Sequence, residues 1–154
     1  MSTTGLPVKV IFDTSIYIPF VNDGIAYPTG NLHADFGKHM LYMSVVVMEE
    51  LYAGAFDTQS IKLLDTLYKT FKNLNRLLVP EAADWQGAGK VIAKIGKKYG
   101  FEDIFLSKIT HDVLIAASAR RIGAIVITNN RKDFLRIQEF VDFKFYQGYE
   151  EQSA

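Results

Sequence analysis

The chain has 154 residues, of which 49% are hydrophobic and 22% charged, and its 17 Lys and Arg balance its 17 Asp and Glu. The length predicts one domain, residues 1–154, with a substantial buried core. The lack of cysteine excludes disulfides and thiolate metal sites and suits a reducing cytoplasm. With no signal-peptide pattern and no apolar run long enough to span a bilayer, we expect a cytoplasmic protein without a membrane partner. A neutral total charge still allows a nucleic-acid partner, if acids and bases lie on different faces.

The chain begins with a pattern typical of an α/β fold. Residues 8–12 are a compact apolar run that predicts a buried first strand ending at Asp13. A helix is expected to begin near Ser15, with Pro19 tolerated only near its first turn. Residues 22–40 are rich in turn formers and predict a loop with short helical pieces.

The second strand, predicted at residues 41–44, leads into an apolar helix at residues 45–53 that begins after Ser44. This helix contains two neighbouring acids, Glu49 and Glu50, which cannot both be comfortably buried. One is expected to face water while the other faces a pocket or a partner, and helical spacing does not choose between them.

A scaffold follows in the middle of the chain. Residues 58–75 predict an amphipathic helix, residues 76–79 a third strand and residues 81–99 a second long helix. The lysines of this last helix form either a solvated face or a stripe that contacts phosphate. The candidate phosphate contacts there and farther along the chain are Lys94, Lys97, Lys98, Lys108, Arg131 and Lys132.

The C-terminal third repeats the alternation of helix and strand. Thr110 is expected to cap a buried helix whose first turn contains Asp112, where the helix dipole favours a carboxylate. Gly123 is expected to end this helix. A β-branched run at residues 124–127 predicts a strand covered on both faces, and a polar loop then leads to Asp133. The whole pattern predicts a three-layer α/β/α sandwich with a mainly parallel sheet.

Four acids far apart in the sequence lie at or near strand ends or helix flanks: Asp13, Glu50, Asp112 and Asp133. In a parallel sheet of the usual winding these ends meet at one edge. Carboxylates gathered without basic neighbours raise one another's pKa, and proteins keep such clusters mainly where divalent cations neutralise them. Oxygen ligands without Cys or a His pair favour Mg²⁺ or Mn²⁺ over zinc. The inferred chemistry is metal-assisted hydrolysis of a phosphodiester, with water as the nucleophile.

Segments 10–15, 44–54, 112–117 and 128–134 resemble, in order and spacing, the four motifs of PIN domains. They are most similar to the VapC-type toxins of bacterial and archaeal toxin–antitoxin pairs. The resemblance covers nearly the whole chain and implies a PIN-like fold. It also implies Mg²⁺- or Mn²⁺-dependent endoribonuclease activity on structured RNA such as tRNA or rRNA, homodimerisation, and inhibition by a small antitoxin.

The resemblance also implies roles for individual residues. It assigns the metal and the catalysis to four acids: Asp13, Glu50, Asp112 and Asp133. It assigns the support of these acids, or of the metal-bound water, to four polar residues: Thr14, Ser15, Thr128 and Asn130. The family's Glu-Leu-x-x-Gly pattern falls on residues 50–54 and therefore selects Glu50. The chain departs from the family pattern at Asn129, where a basic residue is common, and in the long segment 22–40.

Two other hypotheses belong to different functional classes. One is a catalytically inactive PIN-like module that binds RNA or protein, and the presence of all four acids weighs against it. The other is a phosphoaspartyl enzyme with Asp13 as the nucleophile. The haloacid-dehalogenase-like pattern requires a second acid two residues later, where this chain has Ser15.

Overall fold

The fold alternates strands and helices along the chain. The computed structural model describes residues 7–23 and 39–148, with the side chains of 23 and 103–106 left out. The described elements are β1 (Lys9–Phe12), α1 (Thr14–Asp23), β2 (Met40–Ser44), α2 (Val45–Ala53), α3 (Thr58–Asn73), β3 (Leu77–Leu78), α4 (Ala82–Tyr99), α5 (Asp103–Ile122), β4 (Ile125–Thr128), α6 (Arg131–Gln138) and β5 (Lys144–Gln147).

The described strands form one parallel sheet in the order β3-β2-β1-β4-β5. Helices α1, α2 and α3 contact one another, and so do α4, α5 and α6. Right-handed crossovers place these two groups on opposite faces of the sheet. The predicted three-layer α/β/α sandwich is confirmed.

The core explains why the apolar runs of the sequence became strands. Val10 and Phe12 of β1 and Val126 and Ile127 of β4 are buried, because helices cover both faces of the central strands. In α5, residues 113–116 are all buried, so this segment of the helix is enclosed, as its run of apolar and small residues predicted.

The connections leave a crevice at the carboxyl end of the two central strands. From β1 the chain passes to β2 on one side, and from β4 it passes to β5 on the other. The strand order therefore reverses between β1 and β4, and open α/β sheets bind their ligands at such a point. The residues that follow these two strands are Asp13 and Asn129.

The positions of two residues within their helices differ from the sequence prediction. Pro19 is the sixth residue of α1 and not part of its first turn, so its ring removes the hydrogen bond that residue 19 would donate to the Ser15 carbonyl. Thr110 is not an N-cap, because α5 begins at Asp103 and contains Thr110 in its interior. No Gly or Pro interrupts residues 103–109, and the helix continues through them.

Both C-terminal acids lie in settings that differ from the prediction. Asp112 lies in the middle of α5, away from the positive end of the helix dipole. Asp133, which was expected at the end of a loop, lies in the first turn of α6, where the dipole favours a carboxylate.

The predicted loop at residues 22–40 falls largely outside the described residues, which omit 24–38. His39 is described, and its Nδ1 accepts a hydrogen bond from the Val8 N–H at 3.1 Å, which ties the starts of β1 and β2 together. None of the described helices is long and apolar enough to cross a bilayer.

Candidate active site

Asp13 lies at the crevice between the two central strands and is only 3% exposed. Its backbone N–H donates to the Ile127 carbonyl at 2.9 Å, which continues the β1–β4 ladder by one residue. Its Oδ2 accepts hydrogen bonds from the Ser15 hydroxyl at 3.0 Å and from the Thr128 hydroxyl at 2.8 Å. Groups from α1 and β4 thus fix the orientation of the carboxylate.

The same two hydroxyls bind the turn between β4 and α6. The Asn129 N–H donates to Ser15 Oγ at 3.0 Å, and the Asn130 N–H donates to Thr128 Oγ1 at 2.9 Å. Each hydroxyl therefore accepts from the turn and donates to Asp13. Of the predicted supporting residues, Ser15 and Thr128 have this bridging geometry.

Helix α2 presents Glu50 to Asp13 and turns Glu49 away. Ser44 caps α2 with its side chain, as predicted. Glu50 is half-buried, and its Oε1 accepts a hydrogen bond from the Thr14 hydroxyl at 2.8 Å. Glu49 is exposed and lies 3.0 Å from His111 Nε2. The structure thus distinguishes the two glutamates, which helical spacing alone did not.

Asp112 and Asp133 are joined by one amide. They are 6% and 8% exposed, respectively. The Asn130 Nδ2 donates to Asp112 Oδ2 at 3.3 Å and to Asp133 Oδ2 at 3.0 Å. Asn130 stands at the N-cap of α6 but makes no side-chain cap hydrogen bond. Its amide instead brings the acid of α5 next to the acid of α6.

The four acids form one electrostatic cluster. The pKa of Asp112 is raised to about 8, first by burial and then by the charges of Asp13, Glu50 and Asp133, while Lys108 opposes the shift. Burial also raises the pKa of Asp13, against the opposing effect of the hydroxyl hydrogen bonds. Burial likewise raises the pKa of Glu50, which the hydrogen bond from the Thr14 hydroxyl opposes. Full ionisation of this cluster is therefore unfavourable without a compensating cation.

The donor set of the cluster fits a hard divalent cation. It consists of carboxylate oxygens with hydroxyl and amide neighbours, which are the groups that Mg²⁺ and Mn²⁺ prefer. Within residues 7–23 and 39–148, no three Asp, Glu or His side chains form a group able to hold a metal ion as they stand. Two of the carboxylates hydrogen-bond the same Asn130 amide, so ion binding would require these side chains to reorient.

The cationic residues predicted to contact phosphate are all exposed and lie at three places. Lys108 is beside the cluster, with its Nζ 3.7 Å from Asp133 Oδ2. Arg131 and Lys132 lie in the first turn of α6, immediately before Asp133. The other three lie in the second half of α4: Lys94, Lys97 and Lys98.

Sequence analysis missed three residues that form contacts between helices: His111, Tyr99 and Arg136. His111 joins α5 to α2 through Glu49, and its only signal was its position next to Asp112. The Arg136 guanidinium lies 4.6 Å from the centre of the Tyr99 ring. No periodicity within α4 or α6 could have shown that contact, because the two residues belong to different helices.

The fold and the cluster define a parallel α/β domain with an acidic site at the switch point of its sheet. The family model described as "PIN domain" matches residues 10–139. The chain belongs to the PIN domain family, as its four motifs predicted.

Solved structures of toxin–antitoxin complexes have the same fold. DNA-bound VapBC from Salmonella typhimurium matches with a TM-score of 0.64 and 18% identity, over 91% of this chain and 98% of that one. VapBC2 from Rickettsia felis, bound to a promoter DNA fragment, matches with a TM-score of 0.63 and 20% identity, over 91% of this chain and 100% of that one. VapBC-5 from Mycobacterium tuberculosis, of the VapBC family of toxin–antitoxin systems, matches with a TM-score of 0.59 and 16% identity, over 92% of this chain and 99% of that one. No curated protein sequence matches the chain.

Proposed function

We propose that this protein is an endoribonuclease that depends on Mg²⁺ or Mn²⁺ and acts as the cytoplasmic toxin of a toxin–antitoxin pair. The observation that carries the proposal is the convergence of four carboxylates on one crevice, where burial, together with the charges of the other three acids, raises the pKa of Asp112 to about 8. Such a cluster destabilises the fold, so its presence is better explained by a ligand than by packing. A divalent cation is the ligand that its oxygen donors fit best.

The proposed roles of the residues follow from their contacts. The four acids would hold the cation, which would activate a water molecule and neutralise charge on the phosphodiester. Ser15 and Thr128 orient Asp13, and Thr14 orients Glu50. The Asn130 amide keeps Asp112 and Asp133 side by side.

The acids and their supports lie on different elements and meet only in the folded chain. Glu50 and Thr14 are 36 residues apart in sequence, and Thr128 and Asp13 are 115 apart. Preorganised groups of this kind are typical of a catalytic site, because the fold has already met the entropic cost of collecting them. This arrangement supports catalysis over the inactive binding module.

The direct test is cleavage of total RNA by purified protein with Mn²⁺. We expect ends with 5′-phosphate and 3′-hydroxyl, as attack by water would leave, and no cleavage in EDTA. Asp13→Asn and Asp112→Asn should abolish the activity. Glu49→Gln is the matched control, because Glu49 is the adjacent acid on α2 and its side chain is 72% exposed. Unchanged cleavage by Asp112→Asn would overturn the assignment of the site.

Calorimetry distinguishes the catalytic protein from an inactive module. Binding of Mn²⁺ to the wild-type protein, lost in Asp112→Asn, is expected for the nuclease. An absence of Mg²⁺ and Mn²⁺ binding at millimolar concentrations, together with intact RNA, would favour the inactive binding module.

The toxin role and its partners need separate tests. The similar structures are VapBC complexes, two of them bound to DNA, which supports a small DNA-binding antitoxin as the partner of this chain. We expect expression of this protein to arrest growth and co-expression of a short neighbouring gene to relieve the arrest. Light scattering on the purified protein is expected to give the mass of a homodimer. Growth without arrest, despite RNA cleavage in vitro, would favour an RNA-processing role.

A further inference from the structure

A groove runs along the outer side of α6, the helix that contributes Asp133 to the acidic cluster. It is a cavity of about 590 Å³ lined by Tyr99, Arg131, Lys132, Leu135, Arg136 and Glu139. The lining residues of α6 recur along one side of that helix, and Tyr99 contributes the C-terminal end of α4. Two of its residues, Arg131 and Lys132, immediately precede Asp133 of the acidic cluster in the first turn of α6.

The groove presents positive charge to a ligand. Arg131, Lys132 and Arg136 line it, and its single acid is Glu139. That acid is already paired, because Lys98 Nζ and the Tyr99 hydroxyl both donate to its carboxylate. The charge left for an incoming group is therefore cationic, which suits a chain of phosphates.

The groove also holds an oriented aromatic ring. Tyr99 is 40% exposed, and the hydrogen bond of its hydroxyl to Glu139 restrains the ring. The Arg136 guanidinium lies 4.6 Å from the ring centre, and Lys98 Nζ lies 5.2 Å from it. Aromatic rings and guanidinium planes are the surfaces on which unpaired bases stack. A site for phosphate alone would not require the ring.

From the juxtaposition of cations, aromatic ring and acidic cluster, we propose that this groove binds an unpaired stretch of the RNA substrate. Arg131 and Lys132 contact its phosphates, and the Tyr99–Arg136 pair stacks one base. The choice of RNA rests on the proposed function. Measured along the axis of α6, which rises about 1.5 Å per residue, Arg136 and Asp133 are about 4 to 5 Å apart. A strand that lies along the groove therefore passes the level of Asp133 on α6.

Binding of a fluorescent single-stranded RNA, measured by anisotropy in EDTA, tests the groove apart from cleavage. Tyr99→Leu and Arg136→Gln should weaken binding at least about fivefold, because stacking on an aromatic residue contributes substantially to the affinity for each base. Tyr99→Phe keeps the ring and should bind within about twofold of wild type. Lys62→Gln, which removes an exposed charge on the distant helix α3, is the control.

An abasic oligonucleotide of equal length separates the two parts of the site. Tyr99→Leu should bind it as wild type does, whereas Arg131→Gln and Lys132→Gln should bind both oligonucleotides more weakly. Each of these two substitutions should also reduce the slope of log affinity against log salt by about 1. Equal losses in Tyr99→Phe and Tyr99→Leu would overturn the stacking role. Competition by poly-glutamate as strong as by RNA would overturn the choice of RNA.

The cleavage assay distinguishes failure of this inference from failure of the proposed function. If wild type cuts RNA but the groove variants bind and cut as well as wild type, the groove is not the substrate site and the nuclease stands. If the groove variants lose binding and no protein cleaves RNA, the binding groove stands and the nuclease fails.

Discussion

Replacement of the buried, titratable carboxyl of Asp112 should stabilise the metal-free protein near neutral pH. The Asp112→Asn substitution keeps nearly the same shape and removes a carboxyl that is 6% exposed and surrounded by other acids. The pKa of Asp112 is raised to about 8 in the folded protein, whereas in the unfolded chain it takes its ordinary value of about 3.9. Between these two values, the folded state holds a proton that the unfolded state has lost. Wild-type stability must therefore fall as pH rises from about 4 to about 8.

The size of the effect follows from the linkage relation. One additional proton in the folded state lowers the free energy of unfolding by about 1.4 kcal/mol for each pH unit. From pH 5 to pH 7 the wild type should therefore lose about 3 kcal/mol relative to Asp112→Asn, which has no carboxyl to titrate at this position. Below about pH 4 the two proteins should differ little, because Asp112 is protonated in both folded and unfolded wild type.

Urea denaturation in EDTA at several pH values measures the difference. Glu49→Gln removes a mainly exposed acid from the neighbouring helix and should follow the wild-type curve. If the cluster binds Mg²⁺ as proposed, saturating Mg²⁺ should stabilise the wild type and leave Asp112→Asn unchanged. A free-energy difference between wild type and Asp112→Asn that is constant from pH 5 to pH 7 would refute the reasoning.

Three further substitutions probe the supports of the fold and the site. Thr14→Val removes the 2.8 Å hydrogen bond to Glu50 and should lower RNA cleavage about 10- to 100-fold without unfolding the protein; a normal rate would show that Glu50 needs no support. Asp84→Ala removes a buried carboxylate that caps α4 and pairs with Arg121 Nε at 2.8 Å. Urea denaturation should therefore show that the free energy of unfolding falls by about 2–4 kcal/mol, and a fall below about 1 kcal/mol would contradict this. Gly148→Ala would place a methyl against the Cδ1 of Ile16, which is fully buried; denaturation should show a cost of about 1–3 kcal/mol, and unchanged stability would mean that the core rearranges to accept the methyl.

Local signals in the sequence predicted most of the fold. Ser44 caps α2, and Gly123 ends α5 in the left-handed conformation with φ of 70°, because both positions depend on the chemistry of a few adjacent residues. The predicted N-cap at Thr110 was wrong because threonine is also tolerated inside a helix when tertiary packing extends that helix. The packing of Ile109, which is fully buried in α5, could not be inferred from the propensity of Thr110.

The sequence predicted which acids form the site, but it did not predict the hydrogen bonds that hold them in place. The motif pattern selected Glu50, whereas helical spacing alone could not choose it, since the choice depends on Thr14, which lies 36 residues away. The amide of Asn130 was expected to support the acids, but its bridge from Asp112 to Asp133 depends on how α5 packs against α6. Contacts between distant elements are set by the folded core, and a single sequence carries no local signal for them.

The precision of the site depends on the register of the central strands. Phe12 pairs with Ile127 across β1 and β4, so the residues that follow them, Asp13 and Thr128, come within 2.8 Å of each other through their side chains. Side chains alternate between the faces of a sheet, so a shift of one residue would turn Thr128 away and bring a core residue to the crevice. The fully buried side chain of Ile127 makes that shift costly. The same apolar packing that stabilises the sheet therefore also holds the Thr128 hydroxyl against Asp13. For this reason the acidic cluster keeps its arrangement at the edge of an apolar core.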